Sequence, residues 1–120
     1  MQNVFITRDP MAPGDPCAWI AKPVSIYWND QEILWKIVDT TGTVTWDPST
    51  NPPIVFGPDW NGTTPEPVLN PGGLPLYHAK GPGAPVGNPL TYLYTIHINV
   101  PACGNFVVVI HSVVVNQPQD

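Results

Sequence analysis

The sequence predicts an all-β chain folded as a two-sheet antiparallel β-sandwich, and three observations carry that expectation. Apolar side chains recur at every second position in several segments. No segment holds a helical period free of proline or β-branched runs. Proline and glycine punctuate the chain at short intervals. Of 120 residues, 17 are proline and 10 glycine, while 42% are hydrophobic. Proline at that level signals disorder only where hydrophobicity is low and net charge high, so here it reads as turn and strand-end chemistry. The length suits one domain spanning residues 1–120, with a core that does not depend on metal or disulfide.

Taken in order, Val24, Ile26 and Trp28 share one face of the first clear alternation. Asn29-Asp30-Gln31-Glu32 supplies a polar turn, and Ile33, Trp35 and Ile37 resume on one face, which together form a hairpin signal. Thr40-Thr41-Gly42 marks a turn before Val44 and Trp46, Asp47-Pro48 ends that strand, and Ile54-Val55-Phe56 is a short strand behind two prolines. Residues 57–90 contain eight prolines and seven glycines and read as one long irregular loop, within which Leu76-Tyr77-His78 can pair. Tyr92, Tyr94, Ile96 and Ile98 then alternate with Leu93, Thr95, His97 and Asn99. Pro101-Ala102-Cys103-Gly104 turns the chain, and Phe106 to Val115 returns as a long β-branched strand. Seven or eight strands result, with Trp19, Trp28, Trp46 and above all Trp35 as core tryptophans.

Charged residues make up 11% of the chain, against roughly 25% in an average soluble domain. The net charge of −5 sets nine acidic residues against Arg8, Lys22, Lys36 and Lys80. Four scattered cations make no phosphate-binding patch, which excludes nucleic acid as a partner, and they give an anionic membrane surface nothing to hold. The longest apolar runs, Phe106–Ile110 and Val113–Val115, are far too short to span a bilayer. No basic start followed by an apolar run precedes them, so the expectation is a cytoplasmic protein unless another export route applies. Cys17 and Cys103 either form one disulfide or stay free. Asn61-Gly62-Thr63 matches a glycosylation acceptor, a pattern common by chance.

The run Ile33-x-Trp35-x-Ile37, Val44, Trp46 and Ile54-Val55-Phe56, followed by Tyr92-x-Tyr94-x-Ile96 and Val113-Val114-Val115-Asn116, resembles small bacterial proteins with a cupredoxin-like or immunoglobulin-like sandwich. The resemblance covers residues 23–116 and implies the fold alone, because sandwiches host many functions. Members of that group often carry an Asp-Pro pair before the last strand segment. Here His111-Ser112 stand there.

A cupredoxin-like fold invites a test for blue copper, which needs two His, a Cys thiolate and usually an axial Met. Cys103 is followed by a histidine only at His111, and Met1 and Met11 sit at the other end of the chain, so the site is missing and no cofactor or metal is expected. With a four-residue loop, His97 would face Val108 and His111 would face Tyr94, which points the two imidazoles to opposite sides. A one-residue bulge reverses that. His111 and Ser112 alternate across a strand and cannot form a nucleophile–base pair. Asp30, Glu32, Asp39, Asp47, Asp59 and Glu66 read as turn carboxylates rather than a glycosidase pair. No enzymatic activity is expected.

Two binding readings remain. Trp60, flanked by Asp59 and Asn61, lies in a loop where an exposed indole could stack on a sugar, or it folds back over one end of the sandwich. Phe106, Val108, Ile110, Val113 and Val115 form an uncharged β-prone strand, and residues 81–120 contain no Lys or Arg. At a sheet edge such a strand would template pairing with another chain, whereas a central position would bury it. The sequence thus predicts a non-enzymatic structural or protein-interaction module that associates with itself or another protein through its last strand or long loop. The alternative is a ligand-binding, glycan-recognising sandwich.

Overall fold

The computed structural model describes residues 1–104 and 107–119. Ten strands form among them: β1 (Gln2–Arg8), β2 (Trp19–Ala21), β3 (Val24–Ile26), β4 (Glu32–Ile37), β5 (Thr45–Trp46), β6 (Ile54–Phe56), β7 (Glu66–Val68), β8 (Leu76–Lys80), β9 (Leu90–Asn99) and β10 (Val107–Asn116). They make two sheets packed face to face. The first runs β2-β1-β4-β8-β7. The second runs β3-β10-β9, with β5 and β6 both pairing along the far edge of β9. This is the all-β sandwich that the alternation predicts.

Five details differ from the sequence reading. Ten strands form among the described residues where seven or eight are expected, and β3 and β4, read as a hairpin, lie in different sheets. The sheets are mixed rather than antiparallel, because β1 pairs parallel to β4 and β3 parallel to β10. Parallel neighbours need a long connection, and β2 and β3 supply it: the chain leaves the first sheet at Ala21 and enters the second at Val24. The proline/glycine segment 57–90 is not one loop, since β7 and β8 extend the first sheet within it. Trp28 does not continue the buried face of Val24 and Ile26. The strand stops at Ile26, Tyr27 and Asp30 close a tight turn, and Trp28 is left 56% exposed at its tip.

The core forms where the two inner faces meet. Val4, Ile6, Ile33, Trp35, Tyr77 and Ala79 from the first sheet pack against Val24, Ile26, Ile54, Tyr92, Tyr94, Ile96, Ile98, Ile110 and Val114 from the second. Trp35 is fully buried at the centre, edge-on to Phe56 and Tyr94, and its Nε1 donates to Tyr94 Oη at 3.2 Å. That bond satisfies a polar group that would otherwise be stranded between the sheets. Burial pushes the Tyr94 phenol above its ordinary pKa, opposed by its bonds to Trp35 and Ser112.

Polar links tie the layers at their ends. Ser112 Oγ donates to the Ala21 carbonyl at 2.8 Å, where the chain changes sheets. Gln31 Nε2 donates to Asn116 Oδ1, Asn116 Nδ2 to the Gly83 carbonyl, and the Gly83 amide back to Gln31 Oε1, closing a ring around a fully buried Asn116. At the opposite end Cys17 and Cys103 are bridged, their Cα atoms 5.3 Å apart across 86 positions of sequence. The bridge fastens the 9–18 loop to the 3-10 turn Pro101–Cys103 that leads into β10.

Closing a loop of that length restricts the unfolded chain strongly. Replacing both cysteines (Cys17→Ser with Cys103→Ser) is expected to lower stability by about 2–5 kcal/mol in urea unfolding. Native protein should show no reactive thiol before reduction; two free thiols per chain would remove the bridge from the account.

Candidate interaction surface

The two long strands β9 and β10 carry the widest outer face of the second sheet. Their partners run from Leu90↔Asn116 to Asn99↔Val107, which leaves residues 100–106 as an odd-numbered connection. The pairing is therefore one residue away from that of a four-residue loop. His97 faces Val109 and His111 faces Thr95, so both histidines lie on the outer face. This is the reversal that a single extra residue produces. The backbone agrees with the parity: His97 donates its amide to the Pro53 carbonyl at 2.8 Å and accepts from the Asp47 amide at 3.0 Å. Odd residues of β9 thus bond outward to β5 and β6, and even ones bond to β10.

This register sorts every side chain. Tyr92, Tyr94, Ile96, Ile98, Ile110, Ser112, Val114 and Asn116 are buried. Leu93, Thr95, His97, Val107, Val109, His111, Val113 and Val115 face outward. Val55 of β6 lies beside Thr95 on the same face. Leu93 is 67% exposed, Val109 44% and Val55 42%. No Asp, Glu, Lys or Arg occurs anywhere in β6, β9 or β10. The outer face of the first sheet differs sharply. Glu32 stands opposite Lys80, Lys36 opposite Phe5, and Glu66 opposite His78, with all four charged groups exposed. One outer face of the sandwich carries acidic and basic side chains, whereas the strands β6, β9 and β10 of the other contribute none of Asp, Glu, Lys or Arg.

The residues that the sequence marks as an association strand divide on this register. Val108 and Ile110 face the core, Val113 and Val115 are half-buried on the outer face, and Phe106 lies outside the described residues. β10 is central only at its end: residues 114–116 sit between β9 and β3, while residues 107–113 pair with β9 on one side and with no strand on the other among the described residues. The strand thus offers both an open flank and an outer face. Leu93, Val55 and Val109 join this surface although the sequence reading does not single them out. The signal for Leu93 is present in its alternation with Tyr92 and Tyr94, whereas the outward aim of Val109 depends on a register that sequence leaves open.

Trp60 folds back on the sandwich. Its ring stacks on Phe56 with centroids 4.0 Å apart, meets Tyr92 edge-on, and donates Nε1 to the Thr63 carbonyl at 3.0 Å. Gly62 lies so close to the indole that a Cβ there would collide with it. One ring face is thus taken by Phe56 rather than offered to a ligand, while Asp59 and Asn61 are exposed beside it. His111 points out and Ser112 in, so the adjacent pair does not meet. Thr95 Oγ1 and His97 Nε2 are 3.0 Å apart. Among the described residues no three His, Cys, Asp or Glu side chains converge as a metal site would require, and no helix is long and apolar enough to cross a membrane.

Two carboxylates serve turns. Asp47 accepts hydrogen bonds from the Thr50 and Ser49 hydroxyls at 2.7 Å each and from the Ser49 amide at 3.0 Å. These hydroxyls hold its pKa below the usual carboxylate range against the opposing effect of burial, and the nearby His97 assists. At Asp39 burial acts upward but is outweighed by the Val44 amide, the Thr41 hydroxyl and the Thr41 and Thr43 amides, so its pKa is also lowered.

No protein-family model matches the chain, and no curated protein matches it. A solved structure of a cysteine protease inhibitor from Entamoeba histolytica is similar over 95% of this chain and 96% of that one, at 11% identity and a TM-score of 0.41. A likeness that distant does not bear on activity.

Both depressed carboxyls bind protons more readily once unfolded, so their contribution to stability is present above the unfolded pKa of about 4 and lost as pH falls through the folded values. Acid unfolding followed by tryptophan fluorescence is expected to begin in that window. Asp39→Asn and Asp47→Asn should each flatten the acid limb, and an unchanged limb in both would reject this assignment.

Proposed function

We propose that this protein is a non-enzymatic protein-interaction module that self-associates through the outer face of the β6-β9-β10 sheet. The observation that carries the reading is the contrast between its two outer faces. A sheet surface exposed to water normally alternates apolar-in with polar-out, and the first sheet carries Glu32, Lys36, Glu66 and Lys80 outward, beside an exposed Phe5. On the second, Leu93, Val55, Val109 and Val107 stand exposed together without a charged neighbour on their strands. Exposed apolar side chains on a sheet face mark contact sites where they gather, and interface cores are depleted of charge in the same way.

Edge pairing at β6 and β7 is discouraged by the same molecule. β7 contains Pro67, and β6 is flanked by Pro53 and Pro58. Proline on an edge strand removes a ladder donor and blunts recruitment of further strands. The Cys17–Cys103 bridge supports work in an oxidising compartment rather than a reducing cytosol.

Light scattering across a concentration series tests the proposal. Wild-type protein is expected to exceed monomer mass. Leu93→Glu should raise the dissociation constant by about thirtyfold or more, the scale of a hot-spot loss. Leu69→Glu should leave it unchanged, because Leu69 is 92% exposed but lies in the loop after β7. A strict monomer at high concentration, or equal effects of the two substitutions, would overturn it.

A further inference from the structure

Resting on the self-association proposed above, we infer that the assembly is a two-fold dimer in which Leu93 of each copy seats in the hollow over Thr95 of the other. The hollow is a groove of ≈ 440 Å³ whose outer-face lining includes Val55, Leu93, Thr95, His111 and Val113. Thr95 is its floor. The residue lies between Val55 on β6 and His111 on β10, and its short side chain is drawn toward the His97 ring. Leu93 forms the wall and, at 67%, is the most exposed large apolar side chain on the face.

Knob and hollow thus sit two positions apart on one strand, about 7 Å along it at the usual rise. A two-fold axis lying between two facing sheets and crossing β9 at the level of Tyr94 exchanges positions 93 and 95. Each Leu93 then falls over the partner's Thr95, and each Val113 over the partner's His111. Isologous contacts require this kind of self-complementary patch, and face-packed sheets about 10 Å apart leave room for such side chains to interdigitate.

Knob and hollow on one and the same patch select a second copy as the occupant, and the charge distribution leaves this face free for it. Residues 81–119 carry no Asp, Glu, Lys or Arg, so the net charge of −5 resides on the rest of the molecule. Two copies meeting through most other surfaces bring acidic groups together, whereas this face brings none.

The register is tested by mixing two single variants, with circular dichroism confirming that both stay folded. Leu93→Glu and Thr95→Lys should each weaken the homodimer. In a one-to-one mixture the two-fold arrangement sets the introduced carboxylate against the introduced ammonium and leaves the other knob and hollow native. The mixed dimer is therefore expected to be about tenfold tighter than either homodimer, or better. If wild-type protein associates and Leu93→Glu weakens it, but mixing brings no recovery, the two-fold arrangement is wrong while the interaction face stands. If wild-type protein is monomeric throughout, both fall.

Discussion

The pairing of β9 with β10 is the constraint on which the other features depend. These are the two longest strands, and side chains alternate along each, so a single choice of partner decides which residues enter the core. With Ile96 opposite Ile110 and Tyr94 opposite Ser112, the inner face receives two tyrosines, five apolar residues and the buried Ser112 and Asn116. A shift of one place on β10 alone would bury Val109, His111 and Val113 in place of Ile110, Ser112 and Val114. It would also break the bonds of Ser112 to Ala21 and of Asn116 to Gly83, which fasten the second sheet to the first. The polar residues inside β10 therefore act against slippage: each finds its partner in one register only.

The same register builds the aromatic spine that joins core to loop. Tyr94 reaches inward to accept from Trp35, Phe56 packs against both, Trp60 stacks on Phe56, and Tyr92 meets Trp60. The loop that carries Trp60 is thereby anchored through ring contacts, together with backbone bonds from the Gly57 amide to the Leu93 carbonyl and from the Thr63 amide to the Lys80 carbonyl. The close approach of Gly62 to the indole shows how little space that packing leaves.

How much of this can be read from residues alone follows from what each feature depends on. Alternation at Ile33-Leu34-Trp35 or Tyr92-Leu93-Tyr94 is local, so strand type and the buried state of Trp35 are visible in sequence, whereas β1 and β2 are not anticipated there. The parallel pairs are not, because they arise from where the chain changes sheets at Lys22-Pro23, a long-range event with no local mark. Trp28 looks internal only if the alternation of Val24 and Ile26 is continued past the point where their strand ends. The turn carboxylates Asp39 and Asp47 are legible, since Asp followed by small hydroxyl residues is itself a turn signature. The orientation of the histidines and of Val109 hangs on the parity of one connection, 100–106, which composition does not fix.

Low charge, which looks like a property of the whole chain, proves to be a property of one layer. Outside the hairpin the sheets obey the usual rule: Glu32 and Lys80 face each other across strands, and Lys36 stands over Phe5. From Gly81 to Gln119 no charged side chain appears, and that span contains both long strands of the second sheet together with the loop that leads into them. If the depletion served only the core, it would be confined to the inward positions, because outward ones are free to carry Lys or Glu without penalty. Instead the outward positions hold Leu93, Val107, Val109, Val113 and Val115, interrupted only by Thr, His and Asn. Burial within the monomer does not explain that choice. The self-association proposed above would account for it, because a partner's face would then cover these outward positions.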